Sequence, residues 1–122
     1  MIGIPGVRTY YLYRKPTDMR KSFSGLGGLV INEMGKDLLS GDGFIFINKR
    51  RTLIKILVCL PAGQAGDRNG FVIYYKRLER GTFEIPRSKA GSQKIEIPWS
   101  HLVMIIEGKQ LKSIRQRLRY TG

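Results

Sequence analysis

Residues 15–26 read KPTDMRKSFSGL, and the element that opens here decides how the rest of the chain can be arranged. Lys15 precedes a proline, whose ring disfavours the helical region for the residue before it, so Lys15-Pro16 reads as extended. Thr17 or Asp18 then stands where a helix cap would, accepting hydrogen bonds from the first free amides. Met19, Phe23, Leu26, Val30 and Met34 follow at three- and four-residue steps and form one apolar stripe. Arg20 and Lys21 open the opposite face. Gly25, Gly27 and Gly28 each weaken such a helix by about 1 kcal/mol relative to alanine. Three glycines imply close approach by a neighbour, a strand sooner than a ligand, and Gly35 is a natural stop.

Upstream, Val7 to Tyr13 reads as a short strand. Downstream, the turn-prone Ser40-Gly41-Asp42-Gly43 leads into strands at Phe44–Ile47, Leu53–Cys59 and Phe71–Lys76. Asn48-Lys49-Arg50-Arg51 occupies the tip of the first hairpin. Arg80-Gly81 turns into a short strand, Thr82–Ile85, and Lys94–Ile97 forms the last one. Ser100 caps a C-terminal helix that carries Leu102, Val103, Ile105 and Ile106 and stops at Gly108. Strand, helix, a run of strands and a helix make an α+β domain. The expected form is an antiparallel meander sheet, covered on one face by the N-terminal helix, with a short C-terminal helix. Alternation in Lys55–Val58 and Tyr74–Arg77 is imperfect and assigns no faces. The domain spans 1–108. Residues 109–122 form a basic tail with five cations and no carboxylate, and Leu111, Ile114 and Leu118 lie at helical spacing within it.

The charge balance narrows function. Twenty-two Lys and Arg against nine Asp and Glu leave +13 over 122 residues, an excess that attracts polyanions, nucleic acid first. Cys59 is the only cysteine, so no intrachain disulfide forms, and a reducing compartment fits. The N-terminus lacks the pattern of a secretion signal, and no apolar run approaches a membrane span. A cytoplasmic protein without membrane attachment is expected.

Four blocks together carry a resemblance: KPTDMRKSFSGL at 15–26, FIFINKRRTLIKIL at 44–57, GFVIYYKRLERGTFEIP at 70–86, and the weaker LVMIIEG at 102–108. They resemble the second-open-reading-frame proteins of the insertion-sequence-66 family, the transposition proteins B, which are distinct from the RNA-guided nucleases that share that label. The likeness runs from about Val7 to Gly108. It implies an accessory role in bacterial transposition beside a small first-frame protein and a separate large transposase, with no established chemistry of its own. One departure stands out. The family joins the strands at Leu57 and Phe71 by a short turn; here Asp67-Arg68-Asn69-Gly70 keeps the acidic-x-x-Gly pattern, but Leu60–Gly66 looks inserted and the usual tryptophan is missing. Insertions in surface hairpins cost little loop entropy, so Leu60–Gly66 is expected to be exposed, mobile and dispensable to the fold.

Catalytic constellations are thin. An integrase-like site needs carboxylates converging on two metals. Asp18, Glu79 and Glu107 can be drawn as a triad, yet they serve more simply as a helix cap, a partner for Lys76 or Arg77, and a helix-end charge. With one histidine, His101, and one thiol, zinc sites built from those ligands are excluded within one chain. Cys59 closes an apolar strand as a core residue would. No phosphate loop with its lysine is present. No enzyme activity, metal or cofactor is expected.

The basic clusters are the stronger signal. They comprise Arg14, Lys15, Arg20 and Lys21; Lys49, Arg50, Arg51 and Lys55; Lys76, Arg77 and Arg80; and the tail. Charge runs usually solvate a surface, but then carboxylates are interspersed among them, and here they are nearly absent. Tyr10, Tyr11, Tyr13, Tyr74 and Tyr75 interleave and suit core or edge packing better than base stacking. No helix-turn-helix, zinc finger or RNA-recognition signature is visible, so contacts to DNA would be mainly to phosphate. The expectation is an accessory protein that binds DNA through one continuous basic face joining the helix start to the sheet and also contacts other transposition proteins, the transposase and the small first-frame protein. The alternatives are an adaptor whose basic face meets an acidic patch on the transposase without touching DNA and, further off, a metal-dependent nuclease.

Overall fold

A computed structural model describes residue 7 and residues 9–60, 70–85 and 93–107. Its elements are β1 (Tyr10–Tyr13), α1 (Phe23–Asn32), β2 (Gly43–Ile47), β3 (Leu53–Leu60), β4 (Gly70–Arg77), β5 (Lys94–Ile97) and α2 (Trp99–Ile106). The strands form one five-stranded sheet in the order β4-β3-β2-β1-β5. The α+β class stands, but the pure antiparallel meander does not. Only β2–β3–β4 meander; β1 pairs with β2 in parallel, Leu12 opposite Ile45. Two parallel neighbours need a crossover connection, and α1 supplies it. β5 returns to the free edge of β1 and pairs with it antiparallel, Tyr13 opposite Lys94.

The sheet is covered on both faces, not one. Phe44 and Phe46 of β2, with Tyr13 and Leu57, pack under Leu26, Val30 and Met34 of the α1 region. Ile45 and Ile47, with Leu12, Ile54, Ile56 and Val58, pack under Leu102, Ile105 and Ile106 of α2. This explains why alternation looked imperfect. β2 is the central strand and all five of its residues are buried, so it reads as a continuous apolar run. Gly43 lets β1 and β2 meet, because a Cβ there would lie 2.6 Å from the Tyr10 ring.

The N-terminal helix starts later than its sequence suggests. Asp18 caps a single turn, not a helix, accepting the Arg20 N–H at 2.9 Å. Thr17 caps nothing. It is buried, its N–H bonds the Ile47 carbonyl, and its hydroxyl has no partner among the described residues. The carbonyls of Met19 and Lys21 are both taken by the Lys55 ammonium at 2.8 Å, which withdraws them from any helical ladder. Helical bonding begins with Leu26 N–H to the Ser22 carbonyl. Gly35, at φ +65, follows the helix end as expected. The close neighbours of the glycines are loop side chains and not a strand: a Cβ on Gly25 would meet Lys21 at 3.0 Å and one on Gly27 would meet Leu38 at 3.2 Å.

Three smaller boundaries shift. β1 is four residues long. Thr82–Ile85 is no strand. Its Phe83 is fully buried in the α2-side core, and Phe83 N–H bonds the Arg51 carbonyl at 2.6 Å. Pro98, not Ser100, stands at the N-cap of α2, with its carbonyl accepting Leu102 N–H. Leu60 belongs to β3 and pairs with Gly70. The rest of the inserted stretch, the Gly108 stop and the basic tail lie outside the described residues.

Candidate nucleic-acid interface

The β2–β3 connection is a tight turn built by Asn48. Its side-chain oxygen accepts the N–H groups of Thr52 and Leu53 at 2.8 and 2.9 Å, and its amide donates to the Thr52 hydroxyl. Arg51 N–H closes the turn on the Asn48 carbonyl. The closing residue of such a turn adopts a left-handed backbone, a position suited to glycine. Here Arg51 holds it, at φ +60, the only non-glycine residue with positive φ among those described. The left-handed region costs a residue with a side chain about 1–2 kcal/mol. Lys49, Arg50 and Arg51 are exposed, and their side chains make no hydrogen bond or ion pair among the described residues.

Strand registers place further cations at this end of the sheet. The parallel pairing carries β1 toward the turn, so Arg14 and Lys15 emerge beside it, and Thr17 N–H bonds Ile47. Leu53 pairs with Arg77 and Ile54 with Lys76, which brings the end of β4 alongside. Arg80 follows in the exposed loop that returns to Arg51 through Phe83. Sequence reasoning missed two contributors. Asn48 pins the turn, and its position directly before the basic run was an available signal. Lys94 opens β5 opposite Tyr13; nothing in the sequence reveals that pairing.

Three of the predicted cations, Arg20, Lys55 and Lys15, are engaged within the molecule. Arg20 forks onto Asp18, with Nη2 to Oδ2 at 2.7 Å and Nε reaching both oxygens at 3.1 Å. Hydrogen bonds from the Arg20 side chain and backbone hold the Asp18 carboxyl down at about 2. Lys55 is tied to the Met19 and Lys21 carbonyls and lies 5.8 Å from the Tyr75 ring centroid. Lys15 pairs with Glu33 at 3.6 Å in the open, and Glu33 also accepts the Tyr13 hydroxyl at 3.3 Å. Burial is the main reason the Tyr13 hydroxyl is pushed up from its ordinary value. Lys21 is exposed, with its stem against Gly25. Of the tyrosines, Tyr10 and Tyr13 are core, Tyr11 stacks on Phe44 and Tyr74 lies against the α2-side core. Tyr75 alone of the five is exposed.

The structure gives no support to metal or thiol chemistry among the described residues. No three His, Cys, Asp or Glu side chains gather to hold an ion, so Asp18, Glu79 and Glu107 do not converge. Glu79 makes no ion pair with Lys76 or Arg77. Cys59 is buried, and desolvation, with a smaller push from Asp37, raises its thiol pKa. No helix among the described residues is long and apolar enough to cross a membrane.

A protein-family model described as IS66 Orf2 like protein matches residues 8–116. The chain belongs to this family. The four sequence blocks that carry the resemblance fall on α1 and the turn before it, on β2–β3, on β4 with its following loop, and on α2. The IS66 Orf2-like proteins are accessories of insertion-sequence transposition without known catalytic activity. The match extends past Gly108 into the basic tail. No curated protein and no solved structure matches the chain.

Proposed function

We propose that this IS66 Orf2-like protein assists transposition by binding DNA through its phosphates, using the basic end of the sheet around the β2–β3 turn. One observation carries this reading. Lys49, Arg50 and Arg51 leave a single rigid turn with no intramolecular partner among the described residues, while Arg14, Lys15, Arg77 and Arg80 emerge nearby. Arg20, Lys21, Lys55 and Lys76 extend the positive field without being its centre. Phosphate contact of this kind is sequence-tolerant.

The test is a gel-shift titration of the full chain over several salt concentrations, with duplex and single-stranded DNA. Affinity should fall with salt at a log–log slope of roughly −0.9 per phosphate on duplex. Arg50→Ala with Arg51→Ala should weaken all sequences alike and flatten the slope by about two. Unchanged affinity and slope in the folded double variant would remove the turn from DNA binding.

A second reading has its own support. Phe71, Val72 and Tyr75 are 44%, 41% and 50% exposed on β4, an edge strand of the sheet, and exposed apolar edges invite protein partners. In that case the protein is an adaptor for the transposase. Loss of transposase binding in the Arg50→Ala, Arg51→Ala variant, with no DNA binding by the wild type, would select it.

A further inference from the structure

Beside the β2–β3 turn, the segment after β1 and the end of β2 enclose a cleft of about 160 Å³. Its walls are fastened together by the Thr17 N–H bond to the Ile47 carbonyl. Arg14, Lys15, Lys49 and Arg51 line it, with no carboxylate among the described lining residues. Its remaining lining is mostly apolar, including Pro16, Ile47 and Ile85. The volume is below that of ordinary small-molecule sites. It suits a compact anion with an apolar neighbour, as a backbone phosphate beside its sugar is.

The backbone of Arg51 provides an independent pointer. Its left-handed conformation is imposed by its surroundings: the Asn48 side chain holds the two following amides, and Phe83 N–H holds the Arg51 carbonyl. Such a turn is easiest with glycine. Arginine therefore contributes nothing to the turn itself, and strain of this kind gathers at ligand-holding positions. What the residue adds is a planar cationic fork at the cleft, the geometry that recognises phosphate oxygens in pairs.

We propose that this cleft is a seat for one phosphodiester of the DNA backbone, and that Arg51 is held in its strained conformation to aim its guanidinium there. The site rests on the DNA-binding reading for the identity of its ligand. Lys15 reaches the phosphate by exchanging its solvent-exposed contact with Glu33, a weak competitor.

The probe is a thymidine dinucleotide, which carries a single phosphodiester, titrated into the ¹⁵N-labelled full chain. Saturable amide shifts are expected at Lys15, Asn48, Lys49 and Arg51. Arg51→Gly should melt no lower than the wild type, keep the remaining spectrum, and lose saturation. Its affinity for a DNA oligonucleotide should drop roughly tenfold, as expected when one charge-assisted contact goes. Lys36→Gln removes the same charge away from the cleft, where Lys36 bonds the Tyr11 hydroxyl, and should leave the dinucleotide shifts intact. Shifts that are absent, or spread evenly over all basic segments, overturn the cleft even where DNA itself binds. Localised dinucleotide shifts without DNA binding by the wild type retain the seat and remove the DNA reading. Tighter, competing occupancy by polyglutamate overturns the phosphate assignment in favour of an acidic protein partner.

Discussion

Residues 18–21 and residues 48–52 look alike in sequence: each is a short polar segment with adjacent cations beside one residue suited to capping. The fold uses them in opposite ways. In the first, Asp18 neutralises Arg20 through a forked pair, and the neighbouring carbonyls anchor Lys55 from across the sheet. In the second, Asn48 is neutral, so it organises the backbone while the three cations after it have no side-chain partner among the described residues. The lesson is that cation count does not define a polyanion surface. A carboxylate at the capping position turns a basic segment into structure, whereas an amide there leaves its charge for a partner.

This contrast can be broken by experiment, beginning with the largest effect. Lys55→Met keeps the aliphatic stem but removes both bonds to the 18–21 segment. It should destabilise the chain by about 1–2 kcal/mol, the lower part of the range for charge-assisted hydrogen bonds because one of the two is exposed. Urea unfolding measures this. An unchanged midpoint would show that Lys55 does not anchor the segment. A smaller effect is expected from Arg20→Ala with Lys21→Ala, which removes as much charge as the double substitution in the turn. The salt slope of DNA binding should flatten by less than one, against about two for the turn. Equal flattening would erase the distinction between the two segments.

The smallest effect concerns pH. Asp18 has its carboxyl lowered from 3.8 to about 2 by its bonds with Arg20. A depressed carboxylate contributes stability above its unfolded value, and that contribution is lost as pH falls through the folded value. Wild type should therefore lose its advantage over Asp18→Asn between about pH 4 and pH 2, and thermal melts across that window should converge. At neutral pH the same variant releases Arg20, which should raise DNA affinity slightly. A parallel offset of the two melting curves at every pH would mean the pair does not titrate with folding.

The regions that read correctly from sequence are those governed by neighbours along the chain. The β2, β3 and β4 segments are apolar runs bounded by turn formers. Gly35 follows α1 because it tolerates positive φ, and the basic run after Asn48 lies on a hairpin turn. The start of α1 was misread because its decisive partner, Lys55, is distant in sequence; Asp18 alone looks the same whether it caps one turn or a helix. Phe83 was misread for a similar reason. Its apolar neighbourhood resembles a strand, but it is a core residue on a non-strand segment whose Phe83 N–H bonds the Arg51 carbonyl.

By itself the sequence determined the α+β class, the central hairpins, the excess of positive charge and the family, because each rests on local pattern or composition. The parallel pairing of β1 with β2 was implicit in the strand–helix–strand order, since a helix between two strands is long enough to cross over. Only the tertiary structure decided that β5 closes onto β1, that both faces of the sheet are covered, and which cations are spent internally. Those outcomes depend on register and on long-range partners, and pairing energies between distant strands leave no periodic mark on either strand alone.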